Sequence, residues 1–228
     1  MKIAICISGH LRKFEETYPS LYFYLLKNYN CDIFIHTWDA LGYACQYKSD
    51  STLEVTDNKI SQINNLYKPK KIIVESSYFI EELKKEADIY APHLKDCPKH
   101  AGHMASMFYK IYACNELRKS FERENGIKYD LVVRCRSDLL FNNSIVMPTY
   151  NIQNKILMPS SLSNDHWYTD QFAVANSDSM DLYAGAYFDL PNYFSFGLEY
   201  YPEKFLKWSL DKKKLQIEWC QASFTILR

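Results

Sequence analysis

Residues 129–141 read Tyr129-Asp130-Leu131-Val132-Val133-Arg134-Cys135-Arg136-Ser137-Asp138-Leu139-Leu140-Phe141. The apolar start of this stretch is a buried strand. Its far end crowds two guanidinium groups and a carboxylate, which are costly to bury without partners. On an extended chain Arg134, Arg136 and Asp138 point to one face. Carboxylate oxygens suit a hard cation, and guanidinium groups suit phosphate or a carboxylate partner. A purely structural Arg–Asp pair is the competing reading.

Working toward the N-terminus, Met104, Met107, Phe108, Ile111, Cys114, Leu117 and Phe121 keep one apolar helical face, which Gly126 ends. Residues 90–103 read as a loop. Residues 79–89 and 60–66 read as helices, and Lys71–Glu75 as a strand. Residues 40–58 read as irregular. Cys31–Trp38 and Ile3–Ser8 are further strands, with a helix over 14–26 between them. Toward the C-terminus, 155–159 is a short strand and 178–187 and 202–210 are helices. The apolar run after Asp170 is helix or strand, and the end of the chain is a final strand. Strands alternating with helices predict an α/β fold with a mostly parallel twisted sheet and helices on both faces. Ligands of such sheets sit at the carboxyl ends of strands. That rule gathers Ser8, Gly9 and Arg12, then His36, Trp38 and Asp39, then Arg134 to Asp138.

The totals fit one domain over residues 1–228. Apolar residues make up 47% and charged residues 24%, as in an ordered globular chain. Lys+Arg and Asp+Glu are 27 each, so net charge gives no argument for nucleic acid as a partner. The seven cysteines read as free thiols of a reducing cytosol, not a disulfide framework. The first apolar run is too short for a signal peptide. A cytoplasmic location is expected, with Lys212-Lys213-Lys214 as a candidate peripheral contact at the inner face of a membrane, weighed against a solvated turn. Only 6 glycines are present, and no glycine-rich phosphate loop occurs. A bound nucleotide would therefore rest on side chains and a metal.

Five stretches carry a resemblance: IAICISGHLR (3–12), DIFIHTWD (32–39), SMFYKIYACNELRKSFERENGIKYDLVVRCRSDLLF (106–141), DQFAVAN (170–176) and PEKFLKWSL (202–210). Together they resemble bacterial and viral glycosyltransferase-like proteins of capsule and surface-glycan clusters. The resemblance implies a glycosyltransferase-A-like fold, with 1–141 as the nucleotide-sugar-binding half and 142–228 as the acceptor-binding half. It implies a nucleoside-diphosphate sugar as donor, a saccharide or lipid-linked glycan as acceptor, and a role in surface polysaccharide synthesis. Enzymes of that fold usually carry Asp-x-Asp at the strand end. Here Arg136-Ser137-Asp138 stands instead, leaving Asp138 as the one metal ligand that carries over, for Mn²⁺ or Mg²⁺.

The donor-site candidates are Ser8, Gly9, Arg12, His36, Trp38, Lys110, Arg134, Arg136 and Asp138. Trp38 offers a flat face to a base or sugar, with core packing as the alternative. Lys110 is set to face phosphates near a helix N-terminus, or to be an exposed helix lysine. Asp170 is the first candidate catalytic carboxylate, a general base for the acceptor hydroxyl, and Glu203 the second, with Glu199 behind it. Trp167, Tyr168, Tyr193, Phe194 and Phe196 are candidate acceptor-groove rings. His93, Cys97, His100 and His103 have zinc-like spacing, but plain loop histidines are the preferred reading. Two other functions fit less of the sequence: a sugar nucleotidyltransferase, and a non-catalytic nucleotide-sugar or glycan-binding module.

Overall fold

The structure, a computed structural model, describes residues 1–42, 55–96, 100–160 and 167–227. The strands are β1 (Ile3–Ser8), β2 (Cys31–Trp38), β3 (Lys71–Glu75), β4 (Leu131–Cys135), β5 (Leu139–Phe141), β6 (Lys155–Pro159), β7 (Phe172–Ala175), β8 (Gln216–Cys220) and β9 (Phe224–Ile226). The helices are α1 (Phe14–Tyr24), α2 (Asp57–Tyr67), α3 (Phe79–Tyr90), α4 (Ala101–Asn125), α5 (Ser177–Ala184), α6 (Leu190–Ser195) and α7 (Pro202–Lys212). Seven strands form one mixed sheet in the order β3-β2-β1-β4-β7-β6-β8, and β5 pairs with β9 in a small second sheet. The strands β3, β2, β1 and β4 run parallel. The strand β7 runs antiparallel to β4 and β6, and β8 is parallel to β6. The expected α/β architecture with a mostly parallel sheet is the one observed. Both halves of the chain contribute to that one sheet.

The period of two along each strand sorts the core into two layers. Ile3, Ile5, Ile7, Ile33, Ile35, Leu131, Val133 and Cys135 face α1, α2 and the small sheet. Ala4, Cys6, Phe34, Trp38 and Val132 face α3, α4, α5, α6 and α7. Continuing the second alternation places Ser8, His36, Arg134 and Arg136 on the α4 side. The polar ends of three neighbouring strands therefore share one face, and they do so at one edge because Cys6 pairs with Arg134 and Ser8 with His36.

Some boundaries differ from expectation, for physical reasons. The helix expected from Met104 begins at Ala101, because the His100 ring caps it by accepting from the Gly102 N–H at 2.9 Å. The run 129–141 is broken into β4 and β5. The Ser137 hydroxyl donates to the carbonyls of His10 (2.8 Å) and Leu11 (2.9 Å), which turns the chain out of the main sheet. The apolar run after Asp170 is strand β7. The strand β8 and the helix α6 were absent from the sequence reading. The irregular stretch expected at 40–58 falls largely outside the described residues, as do Cys45 and Cys97. Cys6, Cys31, Cys114, Cys135 and Cys220 are unpaired thiols, and Cys6, Cys114 and Cys135 are buried. Among the described residues, no helix is long and apolar enough to cross a membrane.

Candidate functional site

A cleft of about 270 Å³ opens at the carboxyl ends of β1, β2 and β4, lined by Ser8, Gly9, His10, Arg12, Trp38, His103, Ser106, Arg134 and Arg136 with others. The loop after β1 shapes one wall. Gly9 has φ of +106°, a conformation that a side chain disfavours, and its N–H donates to the His36 carbonyl at 3.2 Å. Arg12 has φ of +41°, uncommon outside glycine. Its backbone N–H donates to the Leu41 carbonyl at 3.1 Å, and the Ser137 hydroxyl holds the preceding two carbonyls. Strained backbone held by several contacts is a common property of functional loops. Here it aims the Arg12 guanidinium back at Asp138.

Asp138 is the anchor of a cationic cluster. Arg136 donates to it as a fork, Nε to Oδ1 at 2.8 Å and Nη2 to Oδ2 at 2.6 Å. Arg12 Nη1 donates to the same Oδ2 at 2.7 Å. The carboxylate is 1% exposed, behind the two arginines, which line the cleft. Burial pushes Asp138 upward, but the combined pull of Arg136 and Arg12 outweighs it and holds the carboxyl below its ordinary range. Burial opposes the Arg136 cation, and Asp138, with a smaller contribution from Asp170, more than restores it.

This arrangement differs from the expectation for Asp138 as a metal ligand. A hard divalent cation wants several oxygens with open lone pairs. Both oxygens of Asp138 are already engaged, and two fixed positive charges flank them. Among the described residues, no three His, Cys, Asp or Glu converge as a metal group. The donor set does not fit Mn²⁺ or Mg²⁺ at Asp138.

Two buried polar groups of the cleft lack partners. Ser8 Oγ and Arg134 Nε form no hydrogen bond in the structure, although Ser8 is 5% and Arg134 2% exposed. Arg134 Nη1 donates to the Gln171 carbonyl at 2.5 Å. Buried polar atoms left unmatched are rare and call for an explanation, such as a ligand.

Lys110 is buried and bound to His36, unlike either reading of it, while Trp38 takes its core-packing alternative. Lys110 is fully buried, and its ammonium donates to Glu75 (2.7 Å), to the Thr37 carbonyl (3.0 Å) and to His36 Nδ1 (3.1 Å). It also lies 3.4 Å from the Trp38 ring centroid, and Tyr109 stacks on that indole. A buried ammonium needs every proton matched, so it turns to Glu75 and away from the cleft. Burial lowers its pKa to about 8 against the pull of Glu75. Burial and then Lys110 lower His36 to about 4, and burial chiefly lowers His10 to about 4. Trp38 is thus a packed floor of the cleft, with its ring already covered.

The carboxylate candidates lie beside this cluster. Cys135 pairs with Phe172, which sets Asp170 and Gln171 next to the end of β4. The Tyr168 N–H donates to the Glu203 carbonyl at 3.2 Å, bringing the start of α7 to the same place. Burial first and the Asp170 charge second push the Glu203 carboxyl above its ordinary range. Asp170 and Glu203 are therefore neighbours, with Arg136 within reach of Asp170. Glu199 instead pairs with Lys204 at the surface, at 2.6 Å.

The candidate acceptor rings divide. Tyr193 and Phe194 belong to the core, and Tyr168 is buried, while Trp167 and Phe196 are exposed. Of the zinc-spaced residues, Cys97 lies outside the described residues and His93 is exposed. His100 has both ring nitrogens in use, on Gly102 and on Asp88 at 3.0 Å. His103 lines the cleft. Lys212 and Lys213 both bind Asp189, at 2.9 and 2.7 Å, which ties down two charges of the expected basic patch.

Sequence reasoning missed His10. Its Nδ1 lies 2.9 Å from the Ala40 carbonyl, and its ring packs so closely against Gly42 that a Cβ there would come within 2.3 Å. The position of His10 between Gly9 and Arg12 was the available signal. A family model described as a domain of unknown function (DUF7796) matches residues 1–227. No curated protein matches the chain.

Proposed function

We propose that this chain, which belongs to the DUF7796 family, transfers a sugar from a nucleoside-diphosphate sugar to a saccharide or lipid-linked glycan, on a glycosyltransferase-A-like fold. One observation carries the reading. A cleft at the carboxyl ends of parallel strands places Arg12, Arg134 and Arg136 together, one strand from buried Asp170 and half-buried Glu203. Cations suit a diphosphate, and a carboxylate pair beside them suits proton removal from an acceptor hydroxyl. The resemblance of the five stretches to surface-glycan glycosyltransferases supports the same reading, with capsule-type glycan synthesis as its setting.

The chemistry balances within these groups. The acceptor oxygen attacks the anomeric carbon, and the bond from that carbon to the donor diphosphate breaks. The leaving diphosphate takes the electron pair, and its growing charge falls on Arg12 and Arg136. The acceptor proton passes to Asp170 or Glu203. A carboxyl raised above its ordinary range, as in Glu203, is the better proton acceptor.

The test is release of nucleoside diphosphate from a panel of uridine, guanosine and thymidine diphosphate sugars, with and without glycan acceptors. Turnover of one donor is expected. Asp170→Asn is expected to lower that turnover by roughly 10²- to 10⁴-fold while leaving donor affinity nearly unchanged. A non-catalytic binding module is favoured by the fully engaged Asp138. Tight donor binding with no turnover anywhere on the panel would select that module and overturn the transferase.

A further inference from the structure

We infer that the cleft binds a diphosphate without a divalent cation, the Arg12–Asp138–Arg136 cluster standing where a metal–carboxylate pair would otherwise act. The inference rests on the nucleotide-sugar reading for the identity of the diphosphate and on the geometry for everything else. Asp138 is closed to a metal, because Arg136 covers both of its oxygens and Arg12 covers one of them again. Asp138 and neighbouring Asp170 set two negative charges against Arg12, Arg134 and Arg136, which leaves one net positive charge.

That charge is fixed in place. The left-handed backbone at Arg12 is secured by Ser137 and Leu41, and the Arg136 fork is locked in a planar bidentate pair. A preorganised guanidinium loses little entropy on meeting a phosphate. Two further groups point to an anionic occupant. Arg134 Nε is a donor, and Ser8 Oγ offers a hydroxyl proton, and both are buried in the cleft wall without a partner. His10 also lines the wall, and burial chiefly holds it neutral. A diphosphate spans such a set, with one phosphoryl group on the Arg12 and Arg136 edge and the other toward Ser8 and Arg134. The three arginine side chains then supply the charge that a divalent ion supplies elsewhere.

Titration calorimetry on the intact protein tests this, with inorganic pyrophosphate, uridine diphosphate and guanosine diphosphate as probes, in excess EDTA and in excess Mn²⁺. Pyrophosphate and at least one nucleotide are expected to bind in EDTA with an affinity within about threefold of that in Mn²⁺. Arg12→Lys and Arg136→Lys keep the charge but lose the fork, and each is expected to weaken binding at least roughly tenfold. Arg12 is partly exposed, so its lysine variant is expected to fold, as circular dichroism would verify. Binding seen only with Mn²⁺, no binding in either condition, or wild-type affinity in both lysine variants overturns the inference. Metal-free binding without turnover of any donor sugar leaves the inference standing and removes the transferase. Turnover that requires Mn²⁺ does the reverse.

Discussion

Asp138 shows how one residue type admits several chemistries until its neighbours are placed. Its carboxylate reads in the sequence either as a lone metal ligand or as the partner of a structural arginine. In the fold it is the counter-ion of Arg12 and Arg136. The identity of Arg136 was legible, but the approach of Arg12 was not, because 126 residues separate it from Asp138 and its left-handed backbone has no glycine to announce it. Removing one charge from a buried cluster is costly. Asp138→Asn is expected to destabilise the chain by about 3 kcal/mol in urea unfolding. A variant as stable as the parent would show that the two arginines do not depend on this carboxylate.

Buried His36 and half-buried His10 give a pH prediction at the same scale. His10 and His36 are lowered from 6.5 to about 4 in the folded chain, mainly by burial. Below about 6.5 the unfolded chain binds protons that the folded chain refuses, so stability falls as pH falls toward 4. The thermal midpoint is expected to drop already between about pH 6.5 and 5, where ordinary carboxylates titrate little. A midpoint that is flat across that range would mean these rings are not held neutral.

Among the elements, α4 and the ends of β2 and β3 are joined by Lys110. Helical periodicity located α4 and its C-terminal Gly126, and short apolar runs located β2 and β3. Nothing local revealed that Lys110 lies on the buried side, because its partners Glu75, Thr37 and His36 are distant in sequence. The edge strand β8 was missed because it is only five residues long, half-exposed and polar at alternate positions. Its alternation of Ile217 and Trp219 with Gln216 and Glu218 was the faint signal. Lys110→Met leaves the buried Thr37 carbonyl without its ammonium donor and removes the ion pair to Glu75. It is expected to cost about 2–4 kcal/mol in chemical denaturation. Unchanged stability would show that Lys110 is not a structural tie, and would return it to the list of possible ligand groups.

At the scale of the molecule, the parallel block β3-β2-β1-β4 continues into antiparallel β7, then β6 and β8. The four parallel strands were legible from their apolar runs and intervening helices. The reversal at β7 was not, because a short apolar run gives no direction. That reversal matters, since it delivers Asp170 to the cationic end of β4. The same crossing sets residues of the second half of the chain beside a cleft lined by the first. Arg12 and Arg136 come from the first half, and Asp170 and Glu203 from the second. A crystal soaked with a non-transferable nucleotide-sugar analogue tests this arrangement most directly. The expected result is a diphosphate in hydrogen-bond contact with Arg12 and Arg136, and a sugar directed at Asp170 and Glu203. A nucleotide bound away from these residues, or an analogue held by a metal on Asp138 with the two arginines displaced, would contradict it.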